Sequence, residues 1–124
     1  MLKGKSILLG ITGSVAAYKA IDLIKGLRNE GASVSVIMTE ASRRFVTPMS
    51  VEIAASPGPV VWDMFESRLA HIDRPRNADL FIVAPATANT ISKYSTAVAD
   101  NLLTAALLAF EGKVIMAPAM NWRM

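Results

Sequence analysis

The stretch SILLGITGSVAAYKAIDLIKGLRNEGASVSVIM, residues 6–38, decides the fold. It opens on a short apolar run, Ser6 to Ile11, as expected of a strand buried on both faces of a parallel sheet. From Val15 to Gly31 the spacing turns helical. Ala17, Ile21, Ile24 and Leu27 share one face, and Lys19, Asp22, Lys25 and Arg28 the other. Gly31 stands where such a helix would stop. Ser33 to Met38 is a second β-prone run. Strand, helix and strand within about 35 residues make a βαβ unit, whose crossover is right-handed.

The rest of the chain continues the alternation. Glu40 to Phe45 suggests a short helix, and Thr47-Pro48 reads as an N-cap followed by proline in the first turn of another. Ser56-Pro57-Gly58-Pro59 is a turn, and Val60 to Trp62 a short strand. Asp79 to Ala84 is a buried strand expected to end at Pro85. Asn89 to Tyr94 and Asp100 to Phe110 read as helices, the second with Asp100 as its N-cap, and Lys113 to Ala117 as the last strand. No repeat or linker interrupts this order. It predicts one doubly wound α/β domain with a parallel sheet and helices on both faces.

Composition narrows the function. The chain has 124 residues, of which 52% are hydrophobic and 19% charged, which supplies a core and excludes global disorder. With no cysteine and a single histidine, a disulfide scaffold, a catalytic thiol on this chain, a Cys-based zinc site and a multi-His metal centre are excluded. The net charge of +3 is small and scattered, without basic runs interleaved with aromatics, so nucleic acid is not an expected partner. No apolar stretch reaches the ~20 residues that span a bilayer. The apolar N-terminal segment resembles a secretory signal only superficially, because Gly10, Thr12, Gly13 and Ser14 interrupt it. A cytoplasmic protein without a membrane partner is expected.

In open parallel sheets, ligands collect beyond the carboxyl ends of the strands. Four loops meet that description. In the first, Gly13 and Ser14 can bring backbone N–H groups and a hydroxyl to an anion; a tight turn with Ser14 as N-cap explains them equally. It carries neither a Gly-x-Gly-x-x-Gly fingerprint nor a P-loop, which argues against a dinucleotide dehydrogenase or an NTPase. The second holds Thr39 and leads to Phe45, and helix capping accounts for it alone. In the third, Ala86, Thr87, Ala88 and Asn89 combine small side chains, which admit a flat ligand, with groups that orient it; an N-cap is the alternative. The fourth, Pro118 to Asn121, places an amide that suits a carboxylate, or is an ordinary surface loop. His71 is the one side chain suited to proton transfer near neutrality, although a lone histidine is most often structural or exposed. Arg74 and Arg76 suit bidentate contacts to phosphate or carboxylate, or simple solvation.

The order of these segments is distinctive. Thr12-Gly13-Ser14-Val15-Ala16-Ala17-Tyr18-Lys19 comes first, then Met38-Thr39-Glu40-Ala41, then His71-Ile72 ahead of Ala78-Asp79-Leu80. Pro85-Ala86-Thr87-Ala88-Asn89-Thr90, Ala99-Asp100-Asn101-Leu102-Leu103 and Pro118-Ala119-Met120-Asn121-x-x-Met124 complete it. In this order the chain resembles the homo-oligomeric flavin-containing cysteine decarboxylases along essentially its whole length, most closely the branch acting on 4′-phosphopantothenoylcysteine in coenzyme A biosynthesis. The resemblance implies a flavodoxin- or Rossmann-like sheet and FMN as cofactor. Gly13, Ser14 and Thr39 would line its phosphate and ribityl side, and Phe45, Ala86, Thr87, Ala88, Asn89 and Met120 would approach the ribityl chain or the isoalloxazine.

The implied reaction is a carboxy-lyase reaction without net redox change. FMN oxidises the substrate's cysteine thiol to a thioaldehyde, whose electron-withdrawing carbon lets carbon dioxide leave, and the reduced flavin then returns its electrons to give 4′-phosphopantetheine. By the same resemblance His71 is the base, Asn121 binds the substrate carboxylate and Arg76 contacts the substrate. The resemblance also implies a trimer, or a dodecamer of trimers, with FMN at a subunit interface. Trp62, Met64 and Phe65 on expected loops are compatible with contacts between subunits. Family chains run past the Pro-x-Met-Asn motif into a flap whose cysteine donates a proton in the reductive half. The expectation here is therefore a single FMN-binding domain over residues 1–124, shortened at its C-terminus. The alternatives are a peptidyl-cysteine decarboxylase, a flavin prenyltransferase or a non-catalytic FMN-binding regulatory subunit.

Overall fold

Every side chain of the first strand, β1 (Ser6–Ile11), is buried after Ser6, and the reason is its place at the centre of the sheet in a computed structural model describing residues 1–65 and 76–124. After a 3-10 turn over Val15–Tyr18, helix α1 (Lys19–Asn29) leads to β2 (Ser33–Met38). A second 3-10 turn, Ala41–Arg44, and α2 (Pro48–Ala55) lead to β3 (Val60–Val61). Beyond lie β4 (Leu80–Ala86), α3 (Ala88–Ser95), α4 (Leu102–Ala109) and β5 (Lys113–Pro118). The strands lie in the order β3-β2-β1-β4-β5, and every pairing is parallel.

Alternation along β1 builds a core on each face of the sheet. Ile7, Leu9 and Ile11 pack with Ala17, Ala20, Ile24, Val34, Val36 and Val51 beneath α1 and α2. Leu8 faces the other way, among Ile37, Phe81, Val83, Leu103 and Leu107 beneath α4. Each large side chain so buried contributes about 1.5–3 kcal/mol, which outweighs the weak intrinsic preference of helices this short. Gly10 permits the second layer, because a Cβ there would come within 2.5 Å of Leu103 Cδ1.

The structure redraws several expected boundaries. The helix expected from Val15 begins as the tighter 3-10 turn because Ser14 folds back, its Oγ accepting from the Ala16 N–H at 3.2 Å. Gly31 ends α1's excursion with φ +96°. The short helix expected over Glu40 to Phe45 is a 3-10 helix, Ala41–Arg44. Pro85 does not end β4. The strand continues to Ala86 through an irregularity between Val83 and Ala86, where the ladder asks no donor of the proline. Asn101, not Asp100, caps α4. Its Oδ1 accepts from the Thr104 N–H at 2.8 Å, and Thr104 Oγ1 accepts from the Asn101 N–H at 3.2 Å. Asp100 is engaged instead by Lys93, at 2.9 Å.

Ala97 follows α3 with φ +59°, a conformation that suits glycine. The terminal turn holds it there, with the Val98 N–H donating to the Lys93 carbonyl at 2.8 Å. The left-handed backbone costs alanine about 1–2 kcal/mol, and glycine's extra unfolded-state entropy returns part of this. Ala97→Gly is therefore expected to stabilise the fold by about 0.5–1 kcal/mol in urea unfolding. A lower midpoint at unchanged slope would refute the strain.

Candidate functional site

The chain leaves β1 toward α1 and β2 on one side and leaves β4 toward α3 and β5 on the other. These neighbouring strands therefore flank the point where the order reverses, and a crevice opens between their diverging loops. A cleft of about 1150 Å³ occupies it. The four loops singled out in the sequence all reach this cleft, each held by its own hydrogen bonds.

Gly13 and Ser14 enter from β1. Gly13 is dictated by proximity, since a Cβ would stand 2.5 Å from the Ala41 Cβ of the neighbouring loop. Thr39 arrives from β2, its N–H donating to the Ile11 carbonyl at 3.0 Å. Its Oγ1 accepts from the Ser42 N–H at 3.2 Å, while the fully buried Ser42 donates its hydroxyl to the Thr39 carbonyl at 2.7 Å. Ser14 and Thr39 thus each use the hydroxyl oxygen as an acceptor, which leaves the hydroxyl proton for a bound anion.

Thr87, Ala88 and Asn89 come from β4. Thr87 caps α3, its Oγ1 accepting from the Thr90 N–H at 3.2 Å, so the capping alternative holds for its side chain without removing the residue from the cleft. The fourth loop is aimed by the β4–β5 pairing, where Ala86 lies opposite Pro118 and its carbonyl accepts from the Ala119 N–H at 3.1 Å. Met120 and Asn121 follow into the cleft. Asn121 Oδ1 accepts from the Arg123 N–H at 3.0 Å, which turns the amide's two donors toward other partners.

Three expected positions stand apart. Ala86 is fully buried and supports the cleft from beneath, without lining it. Phe45 is 49% exposed and is not a lining residue. Arg76 is exposed and also absent from the lining. His71 lies outside the described residues. Conversely, the cleft contains Arg44 and Lys93, which sequence reasoning passed over. Arg44 was hidden by its neighbour Phe45, the residue expected to face the ligand. Lys93 was hidden because a charge on a short amphipathic helix ordinarily faces solvent. Thr12 was also missed; a hydroxyl ending an apolar strand must find partners if buried, and that was the available signal.

The sequence pattern described as "Flavoprotein" matches residues 1–124. The chain is similar to the coenzyme A biosynthesis bifunctional protein CoaBC of Bacillus subtilis (strain 168), with 45% identity covering 100% of this chain and 31% of that one. It thus spans about a third of the length of the curated relative. Among solved structures it is similar to the FMN-dependent cysteine decarboxylase SpaF, at 30% identity and TM-score 0.91, covering 99% of this chain and 73% of the other. It is also similar to a PPC decarboxylase mutant complexed with pantothenoylaminoethenethiol, at 29% identity and TM-score 0.78, covering 95% and 68%. With a cleft at the switch point and a match along its whole length, the chain belongs to the Flavoprotein family.

Proposed function

We propose that this chain is an FMN-binding decarboxylase domain that removes the carboxylate of 4′-phosphopantothenoylcysteine on the way to coenzyme A. The observation that carries the reading is the convergence of four loops, from β1, β2, β4 and β5, on one cleft at the switch point. The residues fit the cofactor. Gly13 keeps the backbone open, and Ser14 and Thr39 hold hydroxyl protons ready for the phosphate or ribityl oxygens. Ala88 leaves room for a flat ring, with Thr87, Asn89 and Met120 around it. Ala86 fixes the Ala119 backbone from below.

Bound there, FMN supplies the electron acceptor that turns the substrate thiol into a thioaldehyde and so eases loss of carbon dioxide. The protein's part is binding and proton transfer. Asn121 offers its amide donors to the departing carboxylate, and His71 accepts the thiol proton. The relatives named for coenzyme A biosynthesis and PPC decarboxylation support this substrate. A homotrimer, or a dodecamer of trimers, with FMN at the subunit boundary belongs to the same reading. Met49 and Ile53, one turn apart on α2 and 69% and 73% exposed, supply apolar surface for it, and Phe45 would cover a ligand held across that boundary. Among the described residues no helix is long and apolar enough to cross a membrane; a cytoplasmic location is part of the proposal.

The visible spectrum of the purified chain is the direct test. A yellow protein that releases FMN on denaturation, sized as a trimer or dodecamer by light scattering, is the expected result. A colourless chain that takes up no added FMN refutes the reading. Carbon dioxide release from 4′-phosphopantothenoylcysteine and from a cysteine-terminated peptide then separates the substrate from that of peptidyl-cysteine decarboxylases.

A further inference from the structure

We infer that Thr12 is a positioning residue whose hydroxyl clamps the two sides of the switch point together and so sets the cleft's ligand-holding geometry. Thr12 is 1% exposed and stands between the last residue of β1 and Gly13. Its Oγ1 donates to the Pro85 carbonyl at 2.5 Å and accepts from the Thr87 N–H at 3.0 Å. Its own N–H donates to the same Pro85 carbonyl at 3.3 Å. One side chain therefore spans the gap between the loops after β1 and β4.

The regular pairing of these strands has ended before this point. The β1–β4 register runs from Ile7 opposite Leu80 to Gly10 opposite Val83, and β4 is irregular between Val83 and Ala86. Beyond that irregularity the sheet ladder no longer fixes the separation of the loops, and Thr12 takes over. The adjoining residues are the ones the cleft uses, Gly13 and Ser14 on one side and Thr87, Ala88 and Asn89 on the other. The Thr87 N–H is held by Thr12 and so is not offered to a ligand, while Thr87 Oγ1 holds the Thr90 N–H. Both backbone donors are satisfied before any ligand arrives, which is the condition for a preformed site.

This inference rests on the FMN reading, so its test has one arm that needs no flavin. Thr12→Val keeps the shape and removes the hydroxyl; Thr12→Ser keeps the hydroxyl and loses a methyl. In apo-protein, the Thr87 amide is expected to exchange with deuterium at least tenfold faster in Thr12→Val than in the parent, with exchange in β1 and β2 unchanged. FMN titrated by fluorescence quenching should bind Thr12→Val at least tenfold more weakly, and Thr12→Ser within about threefold of the parent. Unchanged Thr87 exchange in a folded Thr12→Val overturns the clamp whatever binds. Unchanged FMN affinity in that variant overturns its role in the site. A tenfold loss in Thr12→Ser shows that the methyl, not the hydroxyl, matters, and overturns it even if Thr12→Val does not fold. A parent that binds no FMN refutes the function proposed above, while the exchange arm still decides the clamp.

Discussion

Gly13→Val is expected to give a folded but colourless protein, and Gly13→Ala one that binds FMN at least tenfold more weakly than the parent. A Cβ on residue 13 would lie 2.5 Å from the Ala41 Cβ and 3.2 Å from the Ala41 carbonyl carbon. The obstacle is not the free end of a long side chain. Ala41 opens a turn anchored by the buried Ser42, whose N–H and hydroxyl both bind Thr39. Relief therefore requires one loop to move, and these two loops carry Ser14 and Thr39 into the cleft. Overpacking of this kind costs about 1–3 kcal/mol, which a domain with two buried layers can absorb while the site cannot. Urea unfolding and FMN titration of the same samples read the two effects separately. Adding Ala41→Gly to Gly13→Ala removes the obstructing methyl, and FMN affinity is expected to return to within about threefold of the parent. Parent-like FMN binding by Gly13→Val would show that the approach of these loops is irrelevant to the ligand.

What the sequence disclosed follows from which physical signals are local. The βαβ unit was legible because two β-prone runs flank a segment of helical spacing and Gly31 marks the stop before the second. The four loops were legible for a topological reason, since any parallel sheet offers its carboxyl ends to ligands. The strand beyond Pro85 was not legible. Proline reads as a stop, and its tolerance depends on an irregular ladder and on partners from Thr12, seventy-three residues earlier in the chain. Asp100 and Asn101 are both good caps, and the choice was made by Thr104, which closes the box on Asn101, and by Lys93, which engages Asp100. Ala86 and Phe45 illustrate a further boundary. Small or aromatic character fits a flavin site, yet whether a side chain lines a cleft, supports it from below or faces outward is decided by strand alternation and turn geometry.

His71→Asn is expected to retain FMN and to lower carbon dioxide release from 4′-phosphopantothenoylcysteine by about 100- to 10,000-fold, the range a positioned acid–base group supplies. Oxidation of the substrate thiol requires a group to take its proton. The chain has one histidine and no cysteine, so imidazole and carboxylate are the candidates near neutrality. Among the described residues, Glu40 and Asp100 are the carboxylates lining the cleft. Asp100 is held by Lys93, whose ammonium engages both carboxylate oxygens, at 2.9 and 3.1 Å. Glu40 is exposed to solvent at the edge of its turn. Asparagine is close in size to histidine and keeps hydrogen-bonding capacity, but it cannot carry the proton away. Glu40→Gln serves as the paired control and is expected to release carbon dioxide within about threefold of the parent rate. Equal release by parent and His71→Asn would remove histidine from the mechanism. A collapse in Glu40→Gln alone would transfer the proton to Glu40, which would place the chemistry at the β2 end of the cleft, beside Thr39 and Arg44, rather than at the segment ahead of β4.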